Sequence, residues 1–184
     1  MAENYKIAII GSGPCGMSAG GRASELGISH IVLEKADHLS DTIFKFQKGK
    51  HVMATPDVLP LRSSMDFSIG IREDILETWN QQTKNLGVNL RYNSEVSEIT
   101  GEQGNFIIIL KTGEKIHAEN VVLGIGLQGN LRKIGVPGSE WERVQYQLDD
   151  PDEYEAESIV VIGAGDTAIE NAVALSKNNN VFIV

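Results

Sequence analysis

The sequence predicts an α/β protein made of two successive β-α-β units, the first extended by an antiparallel meander and the second only begun where the sequence stops. Three observations carry that prediction. A short, nearly all-apolar run ends abruptly on glycine twice, at residues 5–10 before Gly11 and at 159–162 before Gly163; both read as strands, the first as one buried on both faces of a parallel sheet. Each run opens into a glycine-rich turn that leads into a helical pattern, Gly11-Ser12-Gly13-Pro14-Cys15-Gly16 and Gly163-Ala164-Gly165-Asp166-Thr167-Ala168. Between them, the stretches 89–99, 106–110 and 115–118 are separated by turns at 101–105 and at Thr112-Gly113, the spacing of a meander.

Taken in order, residues 5–10 form the first strand and 14–26 a helix, with Pro14 suited to a first helical position and Gly27 to the stop. Ile31-Val32-Leu33 is a second buried strand that closes on Glu34. From 41 to 66 the mixture of Lys, Gly, Pro and Ser, with Pro56 and Pro60, reads as loop. Residues 72–86 put Ile75, Leu76, Trp79, Thr83 and Leu86 on one face, which makes an amphipathic covering helix ended by Gly87. After the meander, Val121-Val122-Leu123 returns as a buried parallel strand. The segment 129–157 carries Pro137, Pro151 and eight carboxylates, and reads as a surface crossover between a first domain over 1–128 and a second beginning at 158. The second unit is strand 159–162, helix 166–176 and strand 181–184. A lone β-α-β unit cannot cover its own sheet, so the sequence is expected to be truncated there.

Composition narrows the function classes. With 184 residues, 41% hydrophobic and 22% charged, the chain is globular in character. Sixteen Lys and Arg against 25 Asp and Glu give a net charge of -9, which argues against a nucleic-acid partner. The start, Met1-Ala2-Glu3-Asn4-Tyr5-Lys6, has no basic stretch before an apolar one, and no apolar run approaches the ~20 residues that span a bilayer. A soluble, cytoplasmic protein with no membrane insertion is the expectation. The single cysteine, Cys15, excludes a disulfide within these residues and a zinc site built on paired cysteines, and no other metal-ligand spacing occurs.

The first glycine-rich turn sits in the context a dinucleotide site needs: strand before, helix after, acidic residue beyond. Gly11 permits the tight turn, Gly13 lets backbone approach a diphosphate, and Gly16 lets the helix lie close to the strand. Amides at the helix start then hold the diphosphate, helped by the helix dipole. Glu34 follows Gly11 by 23 residues, where a carboxylate can accept hydrogen bonds from a ribose. Gly163, Gly165, Asp166 and Thr167 repeat the arrangement, with Ala168 in the third small position. Two dinucleotide sites in one chain are most simply those of an enzyme that moves a hydride between a nicotinamide and a flavin. The residue equivalent to Glu34 would fall just past Val184, so the choice of NADH or NADPH is not encoded in these residues.

With these motifs, the chain resembles the amino-terminal part of the thioredoxin-reductase-like, two-dinucleotide-binding flavoproteins, over essentially all of its length. The resemblance implies a Rossmann-like FAD-binding domain with an antiparallel meander, followed by the start of a Rossmann-like NAD(P)-binding domain. It implies FAD on Gly11, Gly13, Pro14, Cys15, Gly16 and Glu34, and NAD(P)H on Gly163, Gly165, Asp166 and Thr167. The run Val121-Val122-Leu123-Gly124-Ile125-Gly126 resembles the family's second flavin motif and adds Gly126 to the FAD residues, although Gly124-Ile125-Gly126 stands where Ala-Thr-Gly is usual. The family's redox dithiol is missing from both of its usual places, 36–53 and 127–158. A dithiol-relay reductase is therefore not expected.

The reading that follows is a flavoprotein in which NAD(P)H reduces FAD and electrons pass to a small-molecule or protein acceptor: ferredoxin, a quinone or a low-molecular-weight disulfide. A homodimer is compatible with it. These residues alone are expected to hold FAD weakly. Cys15 is the candidate redox thiol, because a helix start favours a thiolate and bacillithiol disulfide reductases resemble this chain in their Gly-Pro-Cys-Gly turn. Against that, a neighbouring diphosphate would oppose a thiolate, and a small packing residue fits the position better. Lys45, Lys48, Lys50 and His51 read as a solvated face before a flavin or substrate lining; Asp166 reads as a helix-start residue, and His30, His38 and His117 as surface or turn residues. The rival reading is a non-catalytic nucleotide-binding or regulatory module.

Overall fold

A computed structural model describes residues 4–53, 61–127 and 132–184. They fall into two units: Met1–Phe44 with His51–Asn130, and Lys45–Lys50 with Leu131–Val184. The expected loops around Pro56 and Pro60, and the start of the crossover at 129–131, lie outside the described residues.

The first unit is organised by β1 (Asn4–Ile10), α1 (Pro14–Glu25) and β2 (His30–Leu33). β1 and β2 pair in parallel from Ile7–His30 to Ile10–Leu33. Ala8 and Ile10 face one way, into a core with Ile31, Leu33, Ile108, Leu110, Ile116 and Ala118. Ile9 faces the other way and is fully buried. With both faces covered, the strand must be apolar at every inner position, which is the pattern of its sequence. α1 lies against the sheet through Gly16, Met17, Gly20, Gly21 and Ala23, all buried.

After a one-turn helix, α2 (Asp41–Phe44), a two-residue antiparallel pair joins β3 (His51–Val52) to β4 (Gly70–Ile71). The covering helix is α3 (Arg72–Asn85), which buries Ile75, Trp79 and Thr83 at four-residue spacing. The Trp79 indole N–H donates to the Asp66 carbonyl at 2.7 Å, so the ring is satisfied as well as buried.

The meander departs from expectation in two places. Residues 89–99 are two strands: β5 (Leu90–Arg91) pairs in parallel with β2, and β6 (Val96–Glu102) pairs antiparallel with β7 (Asn105–Leu110), with a register shift between Val96 and Glu98. The expected strands 115–118 and 121–123 are a single one, β8 (Lys115–Leu123). Its first half pairs antiparallel with β7, and it runs parallel to β1 from Asn4–His117 to Ile10–Leu123. The sheet order is therefore β5-β2-β1-β8-β7-β6. His30, expected at the surface, is a buried strand residue. Its Nδ1 lies 2.8 Å from the Ile28 carbonyl, and its Nε2 accepts from the Asn89 N–H at 3.2 Å, so the ring carries its proton on Nδ1 and ties β2 to the segment entering β5.

In the second unit, β9 (Ser158–Val161), α4 (Asp166–Leu175) and β10 (Asn180–Ile183) form a parallel β-α-β, in register from Ser158–Asn180 to Val161–Ile183. A single 3-10 turn, Pro151–Glu153, precedes it, capped by Asp150 accepting from the Asp152 N–H.

Candidate functional site

The chain reverses its direction of spread at β1: β2 lies on one side and β8 on the other, both parallel to it. In an open parallel sheet such a point opens a crevice beyond the carboxyl ends of the strands. The first glycine-rich turn occupies it. Gly11 N–H donates to the Leu33 carbonyl of β2 at 2.8 Å, and Gly124 N–H donates to the Ile10 carbonyl of β1 at 2.8 Å, so the ends of three strands are fastened together here.

Side-chain room is absent on one side of this turn and ample on the other. A Cβ on Gly16 would overlap the Gly11 carbonyl oxygen, and one on Gly11 would come 2.6 Å from the Gly124 carbonyl oxygen. Gly11 also holds φ +96, a left-handed backbone that other residues resist. A Cβ on Gly13, in contrast, would meet no atom within 4 Å. Gly13 is the N-cap of α1, with extended backbone and no side-chain cap, and Pro14 follows it. Backbone thus packs against backbone beneath the turn while its upper side stays open, which is the cradle a diphosphate needs.

Glu34 is buried beneath this turn. Its Oε2 accepts from Ser12 N–H at 2.8 Å and from Ser12 Oγ at 2.7 Å, and its Oε1 accepts from Ala36 N–H at 3.0 Å. A carboxylate has about four acceptor positions, so most of this one is committed to holding the turn's shape. Ser12 Oγ in turn accepts from Ser40 N–H at 3.2 Å. Ser40 is held at φ +54, and its buried Oγ has no hydrogen-bond partner among the described residues. A hydroxyl left unpaired beside a glycine-rich turn fits a site that completes its hydrogen bonds with a polar ligand.

The charge of Glu34 is felt nearby. Burial first, and the Glu34 carboxylate second, push the Tyr92 phenol above its ordinary value. A raised phenol contributes stability that is complete below the ordinary value near pH 10 and is lost as pH rises through the folded-state value. Ultraviolet titration of the phenolates should show Tyr92 ionising late, so Tyr92→Phe should diminish the late component and flatten the alkaline loss of stability. A late component of unchanged size in Tyr92→Phe would disprove the assignment.

Cys15 is the second residue of α1 and is exposed. Gly126 lies at φ +64 in the turn after β8, on the same edge of the sheet. Gly11, Gly13, Pro14, Cys15, Gly16, Glu34 and Gly126 are thus gathered at one sheet edge. Gly163, Gly165, Asp166 and Thr167 stand at the end of β9 in the other unit. Gly163 there has φ +117 and its N–H donates to the Val184 carbonyl at 2.7 Å, while Gly165, the N-cap of α4, has open space where a Cβ would be. Sequence reasoning named Ser12 and Gly124 within their motifs without giving either a role, and it missed Ser40, which left no signal. Among the described residues no three His, Cys, Asp or Glu are grouped to hold a metal ion, and no helix is long and apolar enough to cross a membrane.

Comparison with known proteins adds to this geometry. The family described as pyridine nucleotide-disulphide oxidoreductase matches residues 8–184. A ferredoxin--NADP reductase of Ignicoccus hospitalis is 22% identical over 92% of this chain and 52% of its own length. One from Picrophilus torridus is 28% identical over 99% of this chain and 54% of its own. The chain thus spans about half the length of these curated relatives. Among solved structures, the bacillithiol disulfide reductase of Staphylococcus aureus superposes with a TM-score of 0.84 at 21% identity, over 98% of this chain and 57% of that one. At that identity the likeness is one of fold.

Proposed function

The chain belongs to the pyridine nucleotide-disulphide oxidoreductase family, and from that premise we propose that its protein is an FAD-dependent oxidoreductase that takes a hydride from NAD(P)H and passes electrons to a separate acceptor. The observation that carries the proposal is the duplication: two glycine-rich turns, each following a parallel strand and each opening a helix at an uncapped glycine. A regulatory module that binds one nucleotide has no use for the second.

In this reading Gly11, Gly13, Pro14, Cys15, Gly16 and Gly126 hold FAD, and Gly163, Gly165, Asp166 and Thr167 hold the nicotinamide dinucleotide. The cradle around Gly13 and the unpaired Ser40 hydroxyl support the first assignment. Glu34 acts mainly on the turn itself, keeping Ser12 N–H turned inward and leaving the amides of the following helix start for the diphosphate. When bound, FAD would supply the two-electron chemistry that links nicotinamide to acceptor. The given residues hold one cysteine and so no dithiol, and in this reading the acceptor is met directly or through Cys15. Ferredoxin, a quinone and a low-molecular-weight disulfide all satisfy that requirement.

Anaerobic addition of NADH or NADPH to the purified intact protein should bleach a yellow flavin chromophore. A colourless protein, or a chromophore that neither nucleotide bleaches, would reject the proposal. Cys15→Ser should leave bleaching nearly unchanged, since hydride transfer between two ring systems needs no thiol. If the same variant loses all turnover of a disulfide substrate, Cys15 is the thiol that meets the acceptor; with both rates unchanged, it takes no part in the redox steps.

A further inference from the structure

His38 lies between β2 and α2, and both nitrogens of its ring are engaged. Nδ1 lies 2.6 Å from Asp37 Oδ1, and Nε2 lies 3.1 Å from Asp41 Oδ1. An ionised carboxylate only accepts hydrogen bonds, and a neutral imidazole has one N–H to give. Both contacts are therefore hydrogen bonds only when the ring carries two protons, as an imidazolium. The same ring stacks on Phe44, with centroids 3.6 Å apart. The other charges around it are Lys35, 3.8 Å from Asp41 Oδ2, and Arg72, which lies 5.3 Å from the centre of the Phe44 ring and is paired with Glu73 at 2.7 Å.

The contact with Asp41 spans Ser40, the strained point of this segment at φ +54. A serine in left-handed backbone persists only where its surroundings hold it there. The Ser40 N–H donates to the Ser12 carbonyl and to Ser12 Oγ, each at 3.2 Å, and the Phe44 N–H donates to the Ser40 carbonyl at 2.9 Å. The bonds to Ser12 reach the first glycine-rich turn, so one residue joins the shape of that turn to the charge on His38. A neutral ring turns a bare lone pair toward one of its two carboxylates, which repels it. Because the ring is rigid, swinging that nitrogen away also disturbs the contact on its other side.

We propose that His38 is a proton-dependent clamp on the first glycine-rich turn. As an imidazolium it fastens Asp37 to Asp41 around Ser40 and keeps Ser40 against Ser12; as a neutral ring it lets the segment loosen. The clamp needs its proton, so its contribution is full while the ring is charged and fades as pH rises through the range in which imidazoles lose charge. FAD affinity falls with it, because a loosened turn is no longer a preformed cradle. The effect on FAD rests on the reading of the first turn as the flavin site, whereas the clamp itself does not.

The test uses the intact protein at about pH 5.5 and about pH 8, on either side of the imidazole range. Amide hydrogen exchange by NMR on the apoprotein gives the protection of the Ser40 N–H, and flavin fluorescence titration gives FAD affinity. In the unaltered protein both should be about threefold higher at the acid value, the size of one partly exposed ion pair. His38→Gln should sit at the alkaline level at both values. Asp41→Asn should also flatten both profiles, since an amide can accept from a ring N–H or donate to a bare ring nitrogen. A residue that merely shapes the turn would lower protection equally at both values and leave their ratio alone. A flat profile in the unaltered protein, or an undiminished ratio in His38→Gln, overturns the clamp; if His38→Gln does not fold, Asp41→Asn decides in the same way. Protection that follows pH while FAD affinity does not would overturn the coupling to the site. If FAD binds at neither value, the flavin reading falls and the exchange profile still decides the clamp.

Discussion

Replacing Gly16 by alanine is expected to cost the protein more than about 3 kcal/mol of stability, beyond the usual range for inserting a methyl group into a packed core. At this chain length that is a fall in Tm of roughly 6–12 °C. The reason is that the new Cβ lands on the Gly11 carbonyl, which is backbone and is itself fixed by the Gly11 bond to Leu33 and by contact with Gly124. Neither can step aside without opening the ends of β1, β2 and β8 together. Gly20→Ala is the graded control. Its Cβ would come 2.9 Å from a Val32 methyl and 3.0 Å from a Val88 methyl, and side chains can rotate where backbone cannot. Thermal melts followed by far-ultraviolet circular dichroism should therefore rank Gly16→Ala well below Gly20→Ala, with both below the parent. Equal melting of Gly16→Ala and parent would mean that the three glycines do not converge as described.

Gly13→Trp should do the reverse, sparing the fold and abolishing the ligand. Gly13 has an ordinary extended backbone, and a Cβ there meets nothing within 4 Å, so the indole projects into open space. That open space is where the proposed diphosphate would lie. Losing two or more hydrogen bonds to a charged group should weaken FAD binding by at least about a hundredfold. Flavin fluorescence titration of the apoprotein measures it, and the apoprotein melt should stay within about 3 °C of the parent, the range of a surface substitution. Retained FAD affinity in a well-folded Gly13→Trp protein would remove the first turn from the flavin site.

The contrast between these glycines shows what the sequence could and could not convey. Both glycine-rich turns and the strands before them were legible, because a run such as Lys6-Ile7-Ala8-Ile9-Ile10 stopping at glycine has few other uses. The division of residues 89–99 was not legible. Two residues, Leu90 and Arg91, are recruited by β2, and nothing in their types distinguishes a parallel neighbour from an antiparallel one. β8 was hidden for a related reason. Glu119 and Asn120 interrupt its apolar pattern as a turn would, yet the strand runs through them, with Asn120 donating to the Lys6 carbonyl. At the site, glycine positions follow from local spacing, whereas the links Glu34 to Ser12 and Ser40 to Ser12 join residues far apart in sequence. Their partners are set by tertiary packing, and a window along the chain does not contain them.

The place of β8 in the sheet also bears on how the protein is made. β2 follows β1 closely in synthesis, but the other flank of β1 waits for β8, whose Asn120 bonds back to Lys6 across 114 positions. Until that strand arrives, Ala8, Ile9 and Ile10 present an apolar edge with unpaired amides and carbonyls, the kind of edge that recruits other chains. Pairing at such separation also closes a large loop in one step, which slows folding relative to local contacts. The nascent chain therefore spends most of the synthesis of its first unit with its central strand half-paired, and an arrest of translation before Leu123 would leave a product disposed to aggregate and dependent on chaperones.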